Sequence, residues 1–359
     1  MKVTGARGKV SLKEREVTPV MTERIDEVDY LRALACLFVV LIHTTADYIF
    51  LDTAGHLTKT AFLFVNRALT FAVPAFIFIS GFVLAQRYLK RDFSYPLFLK
   101  KRLTHIIVPY FGWTLVYYLY FIQQNIYGFS LSFFLQSLFL GKMVYHLYFV
   151  VLIVQFYLLF GVFRGLFQRY SSHLLMLVFL VINILFMKYG YFQYADRFFL
   201  QYLSFFTFGI YFSLNYHSFK EKICYYRSKL ALGYVLLSII LALQYYQITM
   251  LKRVSDGFLY NLSWLFFSSL AIAFFFSVAI SLQNTKLTAV KKFLLKLSDA
   301  SYLIYLSHPL MLMFAQKIIS HDLIPSTTLH FLCTLVFVLG TVLPITFFYR
   351  AHNLKKAKE

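Results

Sequence analysis

Arg32 and His43 close the two ends of the stretch LRALACLFVVLIH, and Asp29 and Asp47 stand just beyond it on either side. In a helix the eleven residues from Arg32 to His43 make three turns plus about 20°, with a rise near 16 Å, so both side chains share a face. Asp47, four residues further, reaches much the same side and can orient the His43 imidazole, while Asp29 can pair with Arg32. The segment is otherwise apolar enough for lipid, where an ionisable side chain is costly unless it faces a bundle interior or a watery cavity. Alone, Arg32 reads as an interfacial anchor and His43 as a packing histidine. Together with Asp47 they read as a polar line along one face of a membrane span.

Other apolar runs carry similar residues. FLKKRLTHIIVPY (98–110) clusters Lys100, Lys101, Arg102 and His105 at the start of a run. The lysines suit anchoring, and Arg102 with His105, one turn apart, can grip a phosphate. His146 opens another run. In LSDASYLIYLSHPLML (297–312), Ser301, Tyr305 and His308 fall at spacings of four and three on one side, and Pro309 loosens the backbone beside them. Ser80 and Gly81 sit in FIFISGFVLAQR, where glycine permits close helix approach and packing is the first reading. Several ionisable residues in the spans of one chain point to a polar cavity.

The elements that must position them are membrane helices. Of 359 residues, 60% are hydrophobic and 14% charged, a balance that a water-soluble domain would not tolerate. Apolar runs near 30–50, 61–87, 103–123, 145–165, 172–188, 197–214, 229–247, 258–282, 299–318 and 328–349 predict an all-α, polytopic bundle of about ten transmembrane helices. The first is an uncleaved span, since no small-residue cleavage site follows it. Residues 1–29 form a polar tail, 30–350 the transmembrane domain and 351–359 a short basic tail. The stretch 88–102, aromatic and basic with a proline, is expected to lie along the inner interface.

Lys and Arg settle the expected orientation. With both termini cytoplasmic, 26 fall in inner segments and eight in outer loops, leaving Arg32 within the first span. The net charge of +20 is therefore topology and does not call for nucleic acid. Cys36, Cys224 and Cys333 have no metal-ligand spacing, so neither a zinc site nor a disulfide framework is expected. The 43 Phe and 28 Tyr suit helix interfaces and interfacial belts.

These residues also form a pattern that resembles the acyltransferase-3 family of bacterial integral-membrane O-acyltransferases, over about residues 28 to 350. The family opens with Asp-x-x-Arg, then ten residues and a His, matched by Asp29, Arg32 and His43. It continues with a Phe-rich SGF element, matched by Ser80, Gly81 and Phe82, and a basic Arg-x-x-Arg before an Ile-Pro-Tyr-like run. An HLWFL-like span start is matched by HLYFV (146–150), and a closing SYxIYLxHP by SYLIYLSHP (301–309). Two positions depart: the basic pair is Arg102 and His105, and Tyr148 replaces a tryptophan. The layout is closest to compact members without a fused soluble domain, including those associated with poly-N-acetylglucosamine-type exported polysaccharides.

The resemblance implies an enzyme of the bacterial cytoplasmic membrane. It would move an acyl group, commonly acetyl, from cytoplasmic acyl-coenzyme A to a carbohydrate hydroxyl. Acyl-CoA would be a co-substrate, with no tightly bound cofactor, and envelope-polysaccharide biosynthesis proteins would be the partners. Arg32, Arg102 and His105 would hold coenzyme A phosphates. His43 would act as general base with Asp47 orienting it, and Asp29, Ser80, His146, Tyr305 and His308 would line the substrate cavity. A donor to the developing oxyanion would come from His308, Tyr305 or Ser80, and a covalent acyl-histidine stays open. On composition alone a polysaccharide transporter or an envelope scaffold also fits.

Overall fold

The computed structural model describes residues 24–254 and 256–356. Residues 1–23 of the expected polar tail and the last three of the basic one lie outside them. The described residues form thirteen α-helices and no strand: α1 (Asp26–Phe50), α2 (His56–Leu69), α3 (Ala72–Tyr88), α4 (Tyr95–Gln123), α5 (Leu131–Leu140), α6 (Tyr148–Arg169), α7 (Ser172–Tyr189), α8 (Leu203–Leu214), α9 (Tyr216–Tyr225), α10 (Arg227–Thr249), α11 (Gly257–Gln283), α12 (Thr288–Ile318) and α13 (Thr327–Lys356). The first helix starts at Asp26, four residues earlier than the expected tail boundary.

A helix lies at each of the ten expected spans, but eight segments among the described residues are long and apolar enough to cross a membrane. The sixth expected span is two 3₁₀ turns followed by the twelve residues of α8. The ninth is α12, whose first turns carry Lys291, Lys292, Lys296 and Asp299 and so dilute its apolar stretch. The protein is a polytopic helical membrane protein.

The 88–102 stretch, expected along the inner interface, is a turn followed by a helix start. Only residues 89–94 form a turn, and from Tyr95 the chain is already the regular helix α4, with Pro96 in its first turn. Proline lacks an N–H that this position would not use, and its fixed φ favours starting a helix there. The turn is pinned by Arg164, which donates to the carbonyls of Tyr88 (2.9 Å) and Arg91 (2.8 Å), and by Gln168 on Leu89 (2.7 Å).

Phenylalanine fills the interior: Phe78, Phe82, Phe156, Phe206, Phe212 and Phe276 are fully buried, and the rings of Phe156 and Phe206 stack at 4.5 Å. By contrast α10 exposes Leu232, Val235, Leu236, Ile239, Ile240 and Leu243, a face suited to lipid. The closest helix pair is α3 with α8, and two glycines permit it. A Cβ at Gly81 would overlap the Phe206 carbonyl, and one at Gly209 would overlap that of Phe78. Such reciprocal small-residue contacts are how helices gain packing in lipid, where hydrophobicity does not drive them together.

Pro309 interrupts the hydrogen-bond ladder of α12. Beside it, the Tyr117 hydroxyl from α4 donates to the Leu306 carbonyl (2.8 Å) and accepts from the Leu310 N–H (3.2 Å), splicing a side chain into the ladder where the backbone parts. The turn so treated carries His308.

Two substitutions test these contacts. Gly81→Ala or Gly209→Ala forces α3 and α8 apart, with an expected loss of about 1–3 kcal/mol and a lower thermal midpoint in detergent. Tyr117→Phe leaves the Leu306 and Leu310 backbone groups unpaired away from water. It should also lower the midpoint, and a wild-type value would contradict the splice.

Candidate active site

The polar residues gather along one seam, where α1 and α12 run side by side in the same direction. At its first end the Asp29 carboxylate accepts from Arg24 (2.6 Å), Arg32 and Ser298 (2.7 Å), and Arg24 also pairs with Asp299 (3.0 Å). One turn along, the Cys36 thiol meets the Ser301 carbonyl at 3.7 Å. Further on, the His43 and His308 rings stack with centroids 5.4 Å apart. Near the far end Gln316 donates to the Asp47 carboxylate. Heptad-like spacing on both helices makes this possible, since steps of three and four residues keep one face turned to a neighbour.

A third imidazole joins the pair. His146 lies in the turn before α6, is 2% exposed, and its ring centroid is 5.5 Å from that of His308 and 5.1 Å from that of Tyr305. Tyr145 covers His43 at 4.6 Å. The hydrogen bonds fix some of the chemistry. His308 Nδ1 is 3.0 Å from the Ile304 carbonyl, which can only accept, so Nδ1 carries a proton. In the neutral ring Nε2 then presents a lone pair, and it is buried without a hydrogen-bond partner. The Leu306 carbonyl is near the His146 ring, yet neither of its nitrogens has a hydrogen bond of proper geometry among the described residues. Buried polar nitrogens are rarely left unpaired. Three histidines, two with unused nitrogens, form a site equipped to move protons.

Towards the Arg32 end lies a cavity of about 670 Å³. Arg32, Arg87, Arg102 and Arg350 bring cationic groups to its wall, with His105, Ser80, Tyr157, Ser298, Ser301, Tyr302 and Tyr305. The Nε atoms of Arg102 and Arg350 are buried without a hydrogen-bond partner. Unspent guanidinium donors around a roomy cavity are what a multiply charged phosphate ligand needs.

A second cavity, about 310 Å³, lies at the Asp47 end, lined by Asp47, Tyr48, Leu51, Leu312, Gln316, Ile319, Ser320, His321, His330 and Thr334. The three clustered histidines line neither cavity. Along α12, Tyr305 borders the first and Leu312 the second, so about 10 Å of that helix, carrying His308, separates them at 1.5 Å per residue, and along α1 the interval from Arg32 to Asp47 is about 22 Å.

The structure thus brings Arg32, Arg102, His105, Ser80 and Tyr305 to one cavity, and His43, His146 and His308 to the cluster beyond it. Asp29 lies behind Arg32 as its partner and not on the cavity wall. Asp47 does not orient His43: four residues turn it about 40° past the histidine, onto Gln316. The Tyr305 and Ser80 hydroxyls already donate to the carbonyls of His146 and Phe76 (2.9 Å). Arg350, Gln316, Tyr117 and Tyr145 were not anticipated, because only tertiary packing brings them here. Arg87 had a signal: it lies two turns beyond Ser80 on the same face.

The chain is 29% identical over 181 residues to a protein of Bacillus subtilis (strain 168) that carries the provisional name membrane-bound acyltransferase YfiQ, and the match spans 48% of each chain. No solved structure matches. The family model described as "Acyltransferase domain" matches residues 25–348, from the start of α1 almost to the end of α13, and takes in the histidine cluster, the second cavity and all of the first cavity's wall but Tyr349 and Arg350. The chain belongs to this acyltransferase-domain family.

Proposed function

We propose that the protein is an O-acyltransferase of the bacterial cytoplasmic membrane that takes a short acyl group, acetyl first among them, from acyl-coenzyme A and esterifies a hydroxyl of an envelope or exported carbohydrate. The observation that carries this reading is the cationic cavity that ends, at Tyr305, beneath three converging histidines. Its arginines suit the phosphates of coenzyme A, and the acyl-bearing arm would run along the seam towards His43. The lysine and arginine distribution supports a cytoplasmic position for this end and for both termini.

In the step so framed, His43 takes the proton of the acceptor hydroxyl and the oxygen attacks the thioester carbonyl. A carbon–oxygen bond forms, the carbon–sulfur bond breaks, and coenzyme A leaves as a thiolate that regains the proton. The lone pair of His308 Nε2 offers that proton a place to wait. With the Tyr305 and Ser80 hydroxyls engaged, a ring N–H of His146 is the available donor to the developing oxyanion. Two separate cavities favour passing a small group across a partition over moving a polymer through the bundle.

His43→Ala should lower ester formation by about 10²–10⁴-fold at equal membrane levels while acyl-coenzyme A still binds. Unchanged ester on envelope polysaccharide, measured by mass spectrometry, would contradict the assignment. Arg102→Gln and Arg350→Gln should each raise KM for acyl-coenzyme A about 10-fold or more, as expected for a lost charged hydrogen bond. Neither should do so for a donor that lacks the phosphates, such as an acyl-pantetheine.

A further inference from the structure

The second cavity has chemistry opposite to the first. Its single carboxylate, Asp47, belongs to an exposed residue paired with exposed Gln316, and no lysine or arginine lines it among the described residues. The Gln316 N–H occupies one Asp47 oxygen. The other, with the Gln316 amide oxygen, has no further hydrogen bond among the described residues. Two adjacent acceptors at fixed separation suit neighbouring hydroxyls.

The opposite wall is rigid and aromatic. Tyr48 pairs through its hydroxyl with His330 Nδ1 (2.7 Å) and Thr334 (3.3 Å), and His330 Nε2 donates to the Ile319 carbonyl (3.0 Å). The His321 ring stacks on His330 at 3.6 Å. Burial first, and then the His330 ring, lower the pKa of His321 from its ordinary value, which disfavours its charged form. About 310 Å³ is at the lower end of small-molecule sites, enough for one ring rather than a chain. Asp47 is one turn beyond His43 on α1, a rise of about 6 Å, and Leu312 is one turn beyond His308 on α12. The inner end of this cavity therefore lies one helical turn from His43 and from His308.

We propose that this second cavity seats the acceptor, an uncharged hydroxylated ring such as a neutral pyranose unit, with Asp47 and Gln316 holding two of its hydroxyls and a third directed at His43. This deepens the acyltransferase reading and rests on it. It selects among acceptors: a carboxylate or phosphate beside the reacting hydroxyl meets Asp47 with no cation to offset the repulsion. Asp47 thereby becomes an acceptor-binding residue and not a support of His43.

The test uses the purified full chain in lipid nanodiscs with acetyl-coenzyme A. Two probes differ only at C6, methyl β-D-glucopyranoside and methyl β-D-glucuronopyranoside, and ester is quantified by mass spectrometry. Expected are a preference of at least 10-fold in kcat/KM for the neutral glycoside, and a rise of about 10-fold in its KM in Gln316→Ala and in Asp47→Asn. The KM for acetyl-coenzyme A should stay within twofold, which also reports correct folding. Equal use of the glucuronide, or a fall in kcat without change of acceptor KM in Asp47→Asn, overturns the assignment of the cavity and leaves the acyltransferase reading standing. Coenzyme A release with no ester on either glycoside overturns the carbohydrate reading itself, and this proposal with it.

Discussion

The pairing of α1 with α12 is the constraint on which the site depends. One carboxylate, Asp29, collects Arg24, Arg32 and Ser298 and so fixes the axial register of the two helices at one end, as the Asp47–Gln316 contact does at the other. Between these ties the register decides which residues face each other, and it sets His43 against His308. A slip of one residue on either helix would turn its side chains by about 100° and separate the two imidazoles. The ion pairs themselves are partly exposed and contribute modestly to stability. Their weight lies in selecting one alignment out of several that an apolar interface would accept.

The remaining helices hold that seam in place. The glycine contact of α3 with α8 brings Ser80 and Arg87 to the wall of the cationic cavity, and α4 contributes Arg102 and His105 to that cavity and Tyr117 to the opened ladder of α12. The Tyr302 hydroxyl adds a second tie from α12 to α4, at the Ile106 carbonyl (2.8 Å). The histidine turn of α12 and the cavity wall that carries Arg102 are therefore held by the same helix, α4.

Much of this was legible in the sequence, and the part that was not has a common cause. Periodicity along one helix located the faces correctly: Arg32 with His43 on α1, and Ser301, Tyr305 and His308 on α12. Gly81 announced a close approach, and Arg102 with His105 announced a polar inner end. What a single helix cannot show is the neighbour across from it. Asp47 had Gln316 as a competing partner 269 positions away, and Arg350 joined Arg32 only because the last helix packs beside the first. Ser80 and Tyr305 looked available as donors, yet each hydroxyl is committed to a backbone carbonyl, a choice that spacing does not encode. Pro309 signalled a broken ladder, but nothing in its surroundings pointed to Tyr117 as the repair.

The thin partition between the cavities has an electrical consequence. Two polar vestibules approaching from opposite ends of a bundle carry bulk potential inward, so most of the membrane voltage drops across the layer between them. Here that layer is about 10 Å along α12 and holds the histidines. A full transmembrane potential of 100 mV is worth about 2.3 kcal/mol per elementary charge, and in this geometry much of it would act across the layer that holds His43 and His308. Charge formed within the partition would be subject to the potential of the membrane that holds the protein, whereas charge held at the arginines of the first cavity would be largely outside the field.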